Sequence, residues 1–260
     1  MRILIAGKYA PDGRRPMGGS QSWIDTVANE LKKRGHDVEL WEPGRKASGI
    51  YDLGIIQHLR HTRPVLNFCK RTIQIVHGII DEEKPGECDV TAYVSEGVRD
   101  HWGGDGPIVR QPIDLEFWRP MGRERSGAIR FSYRKNHLPF AEEACKAMDM
   151  GYRQVSDAAP EKARHEMNSA RVVYASGRAA LEAMACGIPV VIYDNRSSYQ
   201  KPLMGPRCMM DNMMQSYSGR GGHEPTFNDV RERFLPEPQR EWVERHHDSR
   251  KIVDELMRLT

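Results

Sequence analysis

The chain has 260 residues and a mass of 29.8 kDa, which is enough for one large domain or two of about 120 residues each. Hydrophobic residues make up 39% and charged residues 29%, so the composition fits a soluble protein with a packed core and excludes a disordered or fibrous chain. With 39 Lys+Arg against 36 Asp+Glu, the net charge of +3 is too balanced to announce a nucleic-acid binder by total charge.

No apolar run reaches the ~18 residues that cross a bilayer. Only Arg2 precedes the first strand pattern, so no secretory or transit segment is expected. The five cysteines (Cys69, Cys88, Cys145, Cys186, Cys208) are odd in number, widely spaced and free of any CxxC. They read as free thiols of a cytoplasmic protein rather than a zinc knuckle or a disulfide frame.

The apolar run Ile3–Ala6 predicts a buried strand, followed by a Gly- and Pro-rich loop over Lys8–Ser20. Trp23, Ile24, Val27, Ala28 and Leu31 then recur at helical spacing, and the helix ends in Lys32-Lys33-Arg34 before Gly35. Val38–Trp41 is the next strand, which completes a βαβ unit and commits the sheet to parallel pairing. Further strands are expected at Leu53–Gln57, Thr72–Val76, Thr91–Val94 and Ile108–Arg110.

The pattern restarts after Met121–Gly127. Strands at Ala128–Tyr133, Tyr152–Val155, Arg171–Ala175 and Pro189–Tyr193 alternate with helices at Phe140–Met148, Glu161–Ser169 and Arg178–Cys186. Arg240–Arg258 reads as one charged amphipathic helix. The expectation is an α/β chain of two Rossmann-like domains facing across a cleft, residues 1–122 and 127–236, with 237–260 crossing back to the first.

Open parallel sheets bind ligands beyond the carboxyl ends of their strands. Those loops carry Lys8, Arg14, Arg15, Gly18 and Gly19; His58, Arg60, His61 and Arg63; His77 and Gly78; Arg134, Lys135 and Asn136; and Ser176, Gly177 and Arg178. This basic edge on a nearly neutral chain favours a phosphorylated ligand. Gly18-Gly19-Ser20 opens a helix whose first N–H groups attract anions, but its spacing is not GxGxxG and a dinucleotide fingerprint is poorly supported.

The run Ser176-Gly177-Arg178-Ala179-Ala180-Leu181-Glu182-Ala183-Met184-Ala185-Cys186-Gly187-Ile188-Pro189-Val190-Val191 is the sharpest signal. It resembles the GT-B-fold glycosyltransferases, in particular the large retaining family 4. Gly18-Gly19, Arg34-Gly35-His36-Asp37-Val38, Val76-His77-Gly78, Val94-Ser95-Glu96 and Pro112–Pro120 resemble the same family in the same order.

The resemblance implies that Glu182 accepts hydrogen bonds from a nucleotide ribose and that Arg134 and Lys135 neutralise the donor diphosphate. It places Gly177 and Arg178 beside the same phosphates, His77 near the donor sugar, and Gly18-Gly19 in the loop over the diphosphate. It implies a nucleotide-diphosphate-sugar donor, no cofactor and no catalytic metal. One departure stands out: a carboxylate usual eight residues before Glu182 is Tyr174 here by plain counting, or is absent if the loop is shortened.

Other features carry plainer readings. Met204, Met209, Met210, Met213 and Met214 read first as core, and as an adaptable partner surface second. His58-x-x-His61 and His246-His247-Asp248 lack further metal ligands at sensible spacing and read as surface histidines. Gln57–Thr72 contains no acidic residue. Its Arg60 and Arg63, with Arg14 and Arg15, form either a solvated face or the acceptor side for an anionic glycan, phospholipid or modified DNA. Sugar transfer is the leading expectation, peripheral to membrane or DNA where the acceptor lies there. A DNA-directed glycosyltransferase and a non-catalytic nucleotide-sugar binder are the alternatives.

Overall fold

The computed structural model describes residues 1–8, 18–131, 139–156, 158–194, 203–204, 209–218, 220, 222 and 239–260. The chain forms two compact units, Met1–Pro112 with His247–Thr260, and Ile113–His246. The second unit starts ahead of the join read at Met121–Gly127, because Ile113 and Trp118 already belong to its core.

In the first unit, β1 (Arg2–Ala6), β2 (Asp37–Trp41), β3 (Leu53–Ile56), β4 (Thr72–Val76) and β5 (Val90–Tyr93) form one parallel sheet in the order β2-β1-β3-β4-β5. Strand side chains alternate between faces, so a strand covered on both sides reads as a continuous apolar run. In β1, Ile3 and Ile5 join one core with Trp23, Ile24, Val27 and Leu31 of α1 (Gly19–Lys33). Leu4 and Ala6 join the opposite core with Trp41, Tyr51, Leu59 and Val65.

Helix α1 closes on Gly35, whose φ of 81° suits a residue without a Cβ. Four elements of this unit escaped the sequence reading: α2 (Leu59–Thr62), the 3₁₀ turns at Arg63–Phe68 and Asp81–Glu83, and α3 (Glu96–Trp102). Helix α3 begins where the Ser95 hydroxyl accepts the Val98 N–H at 3.4 Å and stops at Gly103. That start is an N-cap signal which seven residues of helix were too short to advertise.

In the second unit, β6 (Ala128–Phe131), β7 (Tyr152–Val155), β8 (Val172–Ala175) and β9 (Val190–Asp194) run parallel, and β10 (Leu203–Met204) pairs antiparallel with β9. The order is β10-β9-β8-β6-β7. Helices α4 (Pro139–Ala147), α5 (Pro160–Asn168) and α6 (Arg178–Ala185) accompany them. Every residue of α6 is buried, which explains its run of alanines in place of an amphipathic stripe.

The methionines divide. Met204 lies in β10, Met213 is buried in α7 (Met209–Met214), and Met210 and Met214 are exposed.

The expected terminal helix is two helices, α8 (Gln239–His246) and α9 (Ser249–Met257). Asp248 leaves helical geometry, and its carboxylate caps the new start by accepting the Arg250 N–H at 3.0 Å. Helix α8 stays with the second unit, where Arg240 donates to the carbonyls of Trp118 and Ala185. Helix α9 belongs to the first unit and packs on α1, with Arg34 bonded to Asp254 at 2.6 Å.

Candidate active site

Each sheet contains one place where chain order reverses on either side of a strand, and there the loops part to leave a crevice at the carboxyl edge. In the first unit it lies between β1 and β3, and in the second between β6 and β8. The two edges carry different chemistry.

At the second, β8 gives way to α6 through only Ser176 and Gly177. Gly177 has φ 59° and ψ -136°, a region that side chains exclude, and an added Cβ would meet no atom within 4 Å. The glycine is therefore required by backbone shape alone. It donates its N–H to the Tyr217 carbonyl at 2.6 Å, and α6 starts immediately after it at the carboxyl end of β8.

Across the first turn of α6, Arg178 Nε donates to Glu182 Oε1 at 2.9 Å, with both side chains under 5% exposed. Burial pushes the Glu182 carboxyl above its usual range, and Arg178 opposes that rise. Tyr174 lies within β8, not in the connection. It packs against Ala141, Ala144, Cys145 and Val191, and burial drives its phenol strongly upward. The connection that follows, Ser176 and Gly177, carries no carboxylate. Arg134 and Lys135, which follow β6, lie outside the described residues.

At the first edge, the residues come from many strand ends. Lys8 follows β1, and its ammonium meets Glu82 at 2.8 and 3.0 Å. His58 follows β3 in the left-handed conformation (φ 52°) and is buried. Its Nδ1 accepts the Lys8 N–H at 3.4 Å, and its Nε2 approaches Glu83 at 3.3 Å. The other Glu83 oxygen accepts the His77 N–H at 3.2 Å.

Burial alone would raise the Glu83 carboxyl. The His58 hydrogen bond, His77 and the backbone donor together bring it below its usual value. The His77 ring stands edge-on to Trp23, with centroids 5.4 Å apart, and its Nδ1 is 3.3 Å from the Gln111 amide nitrogen. Gly18 caps α1 with its backbone and Gly19 is the first helical residue.

Three sequence expectations change here. His58, His247 and Asp248 are buried, not surface groups, because the left-handed turn aims His58 at Glu83 and Asp248 caps α9. Among the described residues, basic groups of the first edge are also compensated. Glu82, Glu83 and Glu87, which follow β4, return to Lys8, His58 and Arg63, the last at 2.6 Å. Lys70 pairs with Asp52 at 2.8 Å, so the acid-free stretch borrows its acids from elsewhere. Arg14 and Arg15 lie outside the described residues, as does the side chain of Arg60. Among the described residues, no three His, Cys, Asp or Glu side chains converge as metal ligands.

No protein-family model and no curated protein matches the sequence. Solved structures match it along its whole length. A sucrose-phosphate synthase from Thermosynechococcus elongatus is similar at a TM-score of 0.62 with 12% identity, covering 99% of this chain and 98% of that one. An alpha-glucosyltransferase in complex with UDP and a 13-mer DNA containing a central A:G mismatch is similar at 0.59 with 14% identity, covering 100% and 99%. The glycotransferase of kitacinnamycin is similar at 0.50 with 13% identity, covering 98% of each chain. This is the GT-B fold. At such identities the likeness establishes architecture, and chemistry has to be argued from the residues at the two edges.

Proposed function

We propose that this GT-B chain is a glycosyltransferase that moves a hexose from a nucleotide-diphosphate-sugar donor to a hydroxyl acceptor, with retention at the anomeric carbon and without a metal. The observation that carries the reading is the Gly177 elbow, which starts α6 at the carboxyl end of β8 with the buried Arg178–Glu182 pair spanning its first turn. Backbone donors fixed before reaction suit a diphosphate whose charge grows as the sugar leaves.

In this reading Arg134 and Lys135 supply the mobile positive charge at the end of β6. Glu182 offers its carboxylate to the two ribose hydroxyls, a vicinal diol that two acceptor oxygens match. Arg178 holds that carboxylate in place. The acceptor is taken by the first unit, where His77 sits at the end of β4.

A screen of nucleotide-sugars by thermal shift tests the donor. A true donor at 100 times its dissociation constant adds about 2.7 kcal/mol to stability. Nucleotide-sugars that leave the melting temperature unmoved across the panel would refute the proposal. With the donor identified, Arg134→Ala lowers turnover by roughly 10²-fold or more if it meets the leaving diphosphate.

A second reading concerns the acceptor alone. One structural neighbour was solved with UDP-glucose and DNA containing an abasic site. Duplexes bearing a hydroxymethylated base therefore belong in the acceptor panel beside phospholipid vesicles and glycans, and glycosylated DNA product decides between them.

A further inference from the structure

Two buried glutamines on neighbouring strands of the first sheet differ sharply. Gln74 of β4 is wholly buried and fully engaged: its Nε2 donates to the Lys84 carbonyl at 3.1 Å and its Oε1 accepts the Gly86 N–H at 2.9 Å. Gln57, at the carboxyl end of β3, is as deeply buried, yet neither end of its amide has a partner among the described residues. The indole nitrogen of the wholly buried Trp23 and the Oε1 of Gln111 share that condition. A buried polar group without a partner costs about 1–3 kcal/mol, so a fold rarely keeps one without a use.

These groups share one place. The Gln57 N–H donates to the Ala6 carbonyl at 2.8 Å, so pairing with β1 continues to that residue. Strand alternation puts Gln57 on the face of Leu53 and Ile55, which α1 covers with Trp23. On β4 the same alternation carries Ile73 and Ile75 to His77, whose ring touches Trp23 and Gln111. The β3–β4 register, Ile56 beside Gln74, makes Gln57 and His77 diagonal neighbours at the crevice end of the sheet.

We infer that Gln57, with Trp23 and Gln111, forms a recognition site beside His77 for a neutral hydroxyl-bearing group of the acceptor. The proposal rests on the glycosyl-transfer reading above. The chemistry is specific. Trp23 offers a donor, Gln111 an acceptor and Gln57 both, and a hydroxyl needs one of each. None of the three is charged, so the site reads hydroxyls, not phosphate. An amide held ready without internal partners favours a ligand that completes its bonds and penalises one that cannot.

The test is Gln57→Met, which keeps the volume and removes both polar atoms, with Gln57→Leu as a second variant. Melting of the free proteins is measured first. Transfer kinetics follow, with the donor found by the screen and with hydroxymethylcytosine duplex, phosphatidylinositol vesicles and maltose as acceptors. The expected result is a melting temperature raised by about 2 °C or more together with an acceptor KM raised tenfold or more and a donor KM within twofold of wild type.

A variant that melts lower than wild type would show the amide to be structural. One that melts higher but keeps the wild-type acceptor KM would remove it from recognition, and a loss confined to donor KM would assign the hydroxyl to the donor's sugar instead. Each of these overturns the inference while wild-type transfer stands. Absence of transfer by the wild type with every donor and acceptor strikes the underlying reading first.

Discussion

The two sheet edges reach polarity by opposite routes. The second is local: one glycine turn, one buried helix and one ion pair four residues apart, all within Gly177–Ala185. The first is assembled from residues 8, 23, 57, 58, 77, 82, 83 and 111, contributed by the ends of β1, β3 and β4, by α1, by the 3₁₀ turn Asp81–Glu83 and by the segment after α3. A local arrangement withstands drift elsewhere in the chain but fails completely when one partner is lost. A distributed one loses function by degrees, because several bonds hold each group.

The largest effect is expected at the local edge. Glu182→Ala breaks the buried ion pair with Arg178, and it should destabilise the second unit by about 3–5 kcal/mol. The double variant Arg178→Met with Glu182→Leu should recover most of that loss, since well-packed apolar pairs often replace buried ion pairs at no cost. Donor binding should be absent in both. Denaturant unfolding and the donor thermal shift together read this out, and a double variant that still binds the donor would detach the pair from the nucleotide.

Gly177→Ala comes next. Its Cβ has room, so the whole effect is backbone strain of about 1–3 kcal/mol. A stability change near zero would mean that the turn tolerates a side chain and that close approach of a ligand alone calls for glycine there.

The distributed edge should respond least. Glu83→Gln keeps one acceptor oxygen and puts an NH2 where the other stood, so it gives up its bond to His58 or to the His77 N–H, worth about 1.5 kcal/mol. The sign with pH is fixed by the lowered Glu83 carboxyl. The unfolded chain holds the extra proton, so the stabilisation is complete above the ordinary value of 4.5 and disappears as pH falls through the lower folded one. The Gln variant should show a shallower acid arm in melting against pH. An identical acid arm would remove Glu83 from the list of stabilising carboxylates.

The contrast also explains what the sequence could disclose. Runs such as Ile3–Ala6 and Val172–Ala175 name their strands, because sheets buried on both faces need continuous apolar segments. The Leu181–Cys186 run was legible because its site is contiguous. The first edge was not. His58 looked like a surface residue until a left-handed turn aimed it at Glu83, and no local pattern announces such a turn outside glycine.

Likewise, the stretch from Gln57 to Thr72 looked uniformly basic because its acids, Glu87 and Asp52, lie outside that window. Gln57 itself carries no sequence signal. Only comparison with its fully bonded neighbour Gln74 sets it apart. The break at Asp248 was present in the sequence as a capping residue inside a helical run, but periodicity on both sides concealed it.

The measurement that tests the central claim most directly is a crystal structure with the nucleotide-sugar that the thermal screen selects. The account predicts the diphosphate on the N–H groups that follow Gly177 and both ribose hydroxyls within hydrogen-bond reach of Glu182. A nucleotide seated elsewhere, with Glu182 still bonded only to Arg178, would contradict it.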